Sequence, residues 1–251
     1  MIYTYLSFLT IFLAWEFVTH QNLISPFFLP TPEVVFTALI DLFYNHNLLG
    51  DIAASLYRIL FGFLISIIVA IPLGILIGIN KKIEAFTLPS INFIRYLPPS
   101  ALVPLFILWF GIGDIEKIVI IFSGIAPYLT ILVLDTVLHT KQEYIDTALT
   151  LGATHWDIVT KVIIPSSLPA IWDALRLMAG VAWLFVVLAE IVAANSGLGH
   201  LIISSQRFLQ TPQVIGVIIV IGIFGLLTDF SFKFFYRILF PWSEKNFYVS
   251  H

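Results

Sequence analysis

The residues with the clearest potential for chemistry lie in one polar stretch, residues 140–165. Thr140 stands three residues before Glu143, and Thr154 stands three residues before Asp157. This spacing is typical of a capping box, in which a hydroxyl and a carboxylate each bind a free backbone amide at the start of a helix. The chemistry that the pattern predicts is therefore the capping of two short helices, and it is not bond-making.

A glycine and a proline complete this pattern. The first short helix is expected to run from Lys141 to about Leu151, and Gly152 then stands where a helix ends in a left-handed residue. The second helix starts after Thr154, and Pro165 is expected to end it. A loop of this length with helices of its own is more often functional than connecting, so we favour a surface that docks a partner. A simple connector between two membrane spans is the alternative.

The composition of the chain indicates an integral membrane protein. Of its 251 residues, 59% are hydrophobic and 11% are charged, and the mean hydropathy is +1.01. A soluble domain carries about a quarter charged residues. The absence of cysteine excludes disulfides, thiolate metal sites and cysteine nucleophiles. The histidines show no metal-ligand spacing, so no metal site is expected, and a net charge of −3 without a basic patch argues against nucleic acid.

Runs of apolar residues predict an all-α, polytopic fold with about six transmembrane helices in one domain over residues 1–251. A spanning helix needs about 20 mostly apolar residues. The first run could be a cleaved signal peptide, but it lacks a basic start and a clear cleavage site, which favours a retained helix. The predicted spans are 2–19, 55–80, 87–112, 117–138, 169–193 and 212–237, with a cytoplasmic loop at 139–168.

The distribution of basic residues predicts the orientation of these spans. Cytoplasmic loops carry an excess of Lys and Arg. With six spans, nine of the 12 Lys and Arg residues fall on the side of both termini and of loop 139–168. We therefore expect a multi-pass protein of the cell membrane with both termini in the cytoplasm. The nine residues are Lys81, Lys82, Arg95, Lys141, Lys161, Arg176, Lys233, Arg237 and Lys245.

The loop resembles a motif of permease subunits of ABC importers, which has the pattern EAA-x3-G-x9-I-x-L-P. The matching residues are Asp146-Thr147-Ala148, Gly152 and Val162-Ile163-Ile164-Pro165, with conservative replacements. Further segments extend the resemblance over nearly the whole chain, to the nitrate/sulfonate/taurine/bicarbonate type of permease. They are WEF at 15–17, LPTPEVV at 29–35, SLYRILFGF at 55–63, IPLGILIG at 71–78, PLFILWFGIG at 104–113, GLGHLI at 197–202 and FPWSEK at 240–245.

The resemblance implies a type I ABC importer permease and assigns a role to the loop. In that family the loop docks on a separate ATPase subunit and couples ATP use to transport. The residues implied in this coupling are Asp146, Ala148, Gly152, Thr154 and Pro165. The implied assembly is a homodimer with a second copy of the permease, two ATPase copies, and a periplasmic or lipid-anchored solute-binding protein, and the permease itself contacts membrane lipid. The chain has no phosphate-binding G-x4-G-K-[ST] loop, so ATP and Mg are expected on the ATPase and no cofactor on this chain.

Four residues are candidates for a translocation pathway, because polar groups at membrane depth are costly and often functional. Glu190 either faces a pore or the binding-protein side, or is a carboxylate near the membrane interface that is paired or solvated. Arg58 either contacts an anion or anchors a helix at the interface. Ser100 lies in the proline-rich segment LPPSALVP at 97–104, and Trp183 lines a pore or packs in the core.

The resemblance implies import of a small solute, most simply a small anion such as nitrate, a sulfonate, taurine or bicarbonate. The same type of importer carrying a pyrimidine precursor of thiamine is an alternative. An ion-coupled secondary carrier, with Glu190 and Asp229 as relay groups, is an alternative from another class. A membrane enzyme is a further alternative, but its nearest candidate site, His155-Trp156-Asp157, falls within the coupling motif. We therefore expect a transport subunit that is not an enzyme.

Overall fold

The computed structural model describes residues 2–243, and these residues form helices and no strands. Met1 and the residues after Ser243, including Lys245 and the end of the FPWSEK segment, lie outside the described residues. Eleven α-helices and one π-helical turn follow one another within residues 2–243. They are α1 (Ile2–His20), α2 (Pro32–Asn45), α3 (Leu48–Ile79), α4 (Lys81–Arg95), α5 (Pro99–Phe110), α6 (Asp114–Leu138), α7 (Gln142–Thr150), α8 (His155–Ile158), the π-turn (Val159–Ile163), α9 (Ile164–Ala193), α10 (Leu198–Arg207) and α11 (Thr211–Leu239).

The described chain forms two compact units, and three long helices contribute to both. The first unit contains the residues up to Leu56 together with Glu190–Phe224. In it the Trp15 indole donates to the Pro30 carbonyl at 3.0 Å, which ties α1 to the turn before α2. The second unit contains Tyr57–Ala189 and the residues from Gly225 onward.

Within residues 2–243, four helices are long and apolar enough to cross a membrane, namely Leu48–Ile79, Asp114–Leu138, His155–Val192 and Thr211–Leu239. A bent pair of helices, α4 and α5, passes the same test when taken together, and a shorter apolar helix covers Leu6–His20. This set is compatible with the expected six-helix architecture.

The span predicted at 87–112 is not one continuous helix. Its residues fall on α4 and α5, which are bent by 93° at the break between them. The break is explained by Pro98 and Pro99, because proline lacks an amide and disfavours the helical conformation in the residue before it. The chain therefore ends α4 at Arg95 and starts α5 with Pro99 in its first turn.

The core of the second unit joins α5, α6 and α9. Val103 and Phe106 of α5 pack with Ile120 of α6 and Ala189 of α9, and all four are buried. Close contact between α3 and α6 depends on small residues, as is common between helices in membranes. At three positions a Cβ on the glycine would overlap a side chain of α6: Gly62 against Ile121, Gly74 against Val133 and Gly78 against Val137.

Candidate functional site

The first half of the loop is a short helix that ends at a left-handed glycine. Gly152 has φ +81°. Its amide donates to the Leu149 carbonyl at 2.9 Å, and the Ala153 amide donates to the Ala148 carbonyl at 3.0 Å. This pair of hydrogen bonds is the Schellman motif. The predicted left-handed conformation of Gly152 is confirmed, and a Cβ at this position would meet no atom of the chain within 4 Å.

The second capping box is confirmed at the start of α8. The Asp157 amide donates to Thr154 Oγ1 at 3.3 Å, and the Thr154 amide donates to Asp157 Oδ2 at 3.1 Å. The other carboxylate oxygen of Asp157 accepts from Lys161 Nζ at 2.6 Å. Thr154 and Asp157 therefore fix the direction in which the chain leaves the Gly152 turn.

The prediction of a first capping box at Thr140 and Glu143 is wrong. Helix α7 begins one residue later than the box requires, so Lys141 occupies the N-cap position and makes no side-chain cap hydrogen bond. Thr140 is thereby displaced from the helix start, and its Oγ1 lies 3.4 Å from Ser167 Oγ. The hydroxyl thus contacts the start of α9.

Pro165 does not end the second helix, contrary to the prediction. Helix α8 continues through the π-turn into α9, and the Ile164 amide donates to the Val159 carbonyl. A proline inside an α-helix clashes with the carbonyl four residues before it, and π-turns are a recognised way to accommodate such a break. The segment from His155 to Val192 is one helix of 38 residues. At about 1.5 Å per residue it is roughly 57 Å long, about 27 Å more than a bilayer core of about 30 Å.

The polar end of this helix is α8, which forms an exposed surface together with α7 and the turn between them. Asp146 is exposed and accepts from Gln142 Nε2 at 2.9 Å. Leu151 is 82% exposed and Trp156 is 68% exposed, whereas Ala148 is half-buried. Large exposed apolar side chains between charged groups are typical of a protein-docking surface.

Glu190 is buried, with 1% of its surface exposed, and it is hydrogen-bonded within the first unit. Ser55 Oγ lies 2.8 Å from Glu190 Oε1 and 2.9 Å from Oε2. The Gly199 amide donates to Oε2 at 2.9 Å. These hydrogen bonds agree with the alternative in which Glu190 is a paired carboxylate.

Glu190 belongs to a larger arrangement that caps the N-terminus of α10. The Gly197 amide donates to Asp51 Oδ1 at 2.6 Å, and the Leu198 amide donates to Ser55 Oγ at 2.9 Å. These amides have no partner within their own helix, and the helix dipole favours negative charge beside them. Asp51 and Ser55 were not among the site residues predicted from the sequence. Their spacing of four residues, which puts them on one face of α3, was the available signal.

The other pathway candidates lie in different surroundings, and their transport roles stay predictions. Arg58 is 4% exposed, and its Nε donates to Asp114 Oδ1 at 2.7 Å. Trp183 is also 4% exposed, and its Nε1 donates to Thr228 Oγ1 at 3.2 Å, as expected for a packed indole. Ser100 is exposed in the first turn of α5.

Two further charged residues are buried in α6, and the sequence analysis did not single them out. Glu116 is 0% exposed and Lys117 is 2% exposed. Lys117 Nζ donates to Glu116 Oε2 at 3.0 Å and to the Gly113 carbonyl at 2.9 Å. Burying charges without partners is costly, so this pairing explains how both charges are tolerated there.

The structure also brings together a cluster that the histidine spacing did not indicate. Glu16, His20 and Glu33 each place one potential ligand atom within 4.8 Å of the others. His20 Nδ1 lies 3.3 Å from Glu16 Oε1. A hydrogen bond from Thr31 lowers the pKa of Glu33 below its ordinary value. Ion pairing and hydrogen bonding account for this partly exposed cluster. The cluster alone is not evidence for a metal site.

Asp229 is paired rather than isolated. Lys233 Nζ lies 2.6 Å from its Oδ2, and Arg176 Nε lies 3.4 Å from its Oδ1. Asp229 thus lies between two cations, and these ion pairs account for a carboxylate near the end of α11. The arrangement gives no support to the secondary-carrier alternative.

Comparison with known proteins places these features in a family. Residues 70–245 match the family described as binding-protein-dependent transport system inner membrane component. The chain is 36% identical to the taurine transport system permease protein TauC of Escherichia coli, over 91% of this chain and 85% of that protein. It is 32% identical to the putative aliphatic sulfonates transport permease protein SsuC of Bacillus subtilis, over 92% of this chain and 84% of that protein.

A solved structure supports the fold. A chain of the MetNI methionine ABC transporter in an inward-facing conformation matches with a TM-score of 0.69 and 21% identity, covering 76% of this chain and 95% of that chain. The predicted type I ABC importer permease fold is confirmed.

Proposed function

The chain belongs to the family of binding-protein-dependent transport system inner membrane components, and from this premise we propose that it forms the membrane pathway of an ATP-driven importer for small sulfonates. Its relatives are transport permeases and not enzymes. The proposed assembly contains two copies of this permease, two ATPase subunits that bind ATP and Mg, and a solute-binding protein on the outer side.

The observation that carries the transport mechanism is the continuity of the loop with α9. The surface on α7 and α8 offers Asp146, Ala148 and the Gly152 turn to an ATPase subunit. Because the helix from His155 to Val192 has no break, a displacement of its exposed end is carried into the membrane. Thr154 fixes where that helix starts, and the π-turn before Pro165 keeps it continuous.

The choice of sulfonates as substrate rests on the relatives. Two of them, at 36% and 32% identity over most of the chain, are named for transport of taurine and of aliphatic sulfonates. Both names describe organic molecules with a sulfonate group. Since the binding protein of such an importer selects the solute first, the substrate is best tested with the binding protein present.

The test is uptake by liposomes that contain the permease together with its ATPase subunit and its binding protein. We expect accumulation of labelled taurine or a short alkanesulfonate only when ATP is inside, with no effect of a protonophore. Nitrate, bicarbonate and an aminopyrimidine serve as competitors. Competition by one of these, but not by sulfonates, would reject the sulfonate assignment. Uptake that follows a proton gradient without ATP would reject the ATP-driven importer itself.

A further inference from the structure

The turn that follows α11 is held firmly against the second unit. Phe240 is 7% exposed, and its ring centroid lies 6.2 Å from that of Trp172 and 5.4 Å from that of Tyr236. The Tyr236 and Ser243 hydroxyls lie 2.7 Å apart. These contacts fix the backbone on both sides of Trp242, whose own side chain is 65% exposed.

Trp242 forms one wall of a groove of about 470 Å³ beside the coupling loop. The opposite walls come from α7, the π-turn and the start of α9. The apolar lining includes Ala148, which the loop motif singles out, and Leu151, which is 82% exposed. The other lining residues are Tyr144, Thr147, Lys161, Val162, Pro165 and Ser166.

The character of this groove argues for a protein occupant rather than for lipid. Lys161 on its edge forms an ion pair with Asp157, and the polar residues Thr147 and Ser166 are also among the lining residues. Hydrocarbon disfavours such groups, whereas an apolar centre with a polar edge is the usual anatomy of a protein interface. Tryptophan in a packed pocket is also enriched among the residues that dominate binding energy.

We propose that Trp242 is part of the ATPase-docking surface, so that this surface is built from two distant parts of the chain: the coupling loop and the turn after α11. The occupant of the groove is an apolar side chain of the ATPase subunit, packed between Trp242 and Leu151. The inference rests on the proposed coupling function, and the groove is continuous with the loop residues assigned to that function.

This arrangement has a mechanical result. Phe240 attaches the turn to Trp172 of α9 and to Tyr236 near the end of α11. An ATPase held in the groove therefore acts on the end of α11 in addition to the helices that the loop joins. An ATPase in contact with the loop alone would act on α6 and α9 only.

The chain contains no cysteine, so single cysteines can be introduced and labelled without background labelling of the permease. The test uses such variants in the complete complex. Thr150→Cys and Trp242→Cys are each labelled with a photoactivatable cross-linker in membranes that contain the ATPase. We expect both positions to cross-link to the ATPase. If only Thr150 does so, while Trp242 cross-links to lipid or to the second permease copy, the inference is overturned and the coupling function stands. If neither position reaches the ATPase, the coupling function falls as well.

Affinity gives a second readout. We expect Trp242→Ala to weaken binding of the ATPase to the detergent-solubilised permease by about tenfold or more, as hot-spot residues do, and Trp242→Phe to recover most of the loss. Trp109→Ala is the matched control, because Trp109 is 61% exposed and lies on α5, away from the groove. Equal ATPase affinity for Trp242→Ala and Trp109→Ala would overturn the inference.

Discussion

Gly152 is a residue whose replacement is expected to reduce transport without preventing insertion of the chain into the membrane. Its φ of +81° suits glycine, and the space around it is open within the chain. Another residue in this conformation costs about 1–2 kcal/mol, which is small for a packed membrane domain. We expect Gly152→Val to reach the membrane at the normal level while ATP-dependent uptake falls sharply, because the turn and the approach of the ATPase are both altered.

Gly152→Asn is the control for this substitution, since asparagine tolerates the left-handed conformation. It should lose much less uptake than the valine variant. Subunit levels from blots and uptake with the binding protein present are measured side by side. Normal uptake by Gly152→Val at normal expression would mean that the loop only connects two helices.

Glu190 is expected to act on stability first. Glu190→Gln removes the negative charge beside the free amides of α10, and it replaces one of the two oxygens that accept from Ser55 and from the Gly199 amide by a nitrogen that cannot accept. A buried group left without a partner costs about 1–3 kcal/mol. Thermal unfolding in detergent should fall by several degrees, and protease should cut near α10 sooner. Glu143→Gln, at an exposed position, should change neither; the same melting temperature for both variants would contradict the proposed role of Glu190.

At the scale of elements, the continuity of α8, the π-turn and α9 is the property that a coupling element requires. Replacing Thr160 and Ile163, two π-turn residues that do not line the groove, by glycine should soften this connection, because each glycine costs a helix about 1 kcal/mol relative to alanine. We expect the double glycine variant to bind the ATPase but to hydrolyse ATP with little uptake. The double alanine variant at the same positions should transport normally. Equal uptake by the two variants would show that a rigid connection is not needed.

Some features of these elements could be predicted from the sequence, and others could not. The Thr154–Asp157 box depends only on residues three apart, and it formed as predicted. Thr140 and Glu143 have the same spacing, but α7 begins one residue later than this spacing requires. Thr140 is therefore not at the N-cap position and caps no helix. The bend between α4 and α5 follows Arg95 and falls at Pro98 and Pro99, and this charge and these prolines were the available signals for it. Ser55 and Glu190 are 135 residues apart, and no local pattern reveals such a contact.

At the scale of the whole molecule, the orientation in the membrane follows from the Lys and Arg distribution and stays a prediction. We expect Asn45 and Thr150 to lie on opposite sides, with Thr150 in the cytoplasm. Both side chains are exposed, so single cysteines at these positions can be reached from water. An impermeant thiol reagent added to intact cells should label Asn45→Cys, and should label Thr150→Cys only after the membrane is opened. Labelling of both in intact cells would refute this topology.

The π-turn at Val159–Ile163 has a consequence for how partner choice can evolve. A π-turn contains one residue more than an α-turn, and one residue corresponds to about 100° of rotation around a helix axis. Deleting one residue there would turn α8 and the preceding loop by about a quarter of a circle relative to α9, with every docking residue unchanged. Two permeases with identical loop motifs but different lengths at this point would present the motif in different directions. Recognition of the correct ATPase would then depend on chain length as well as on residue identity, and a single-codon deletion could separate one transporter from the ATPase of its neighbour.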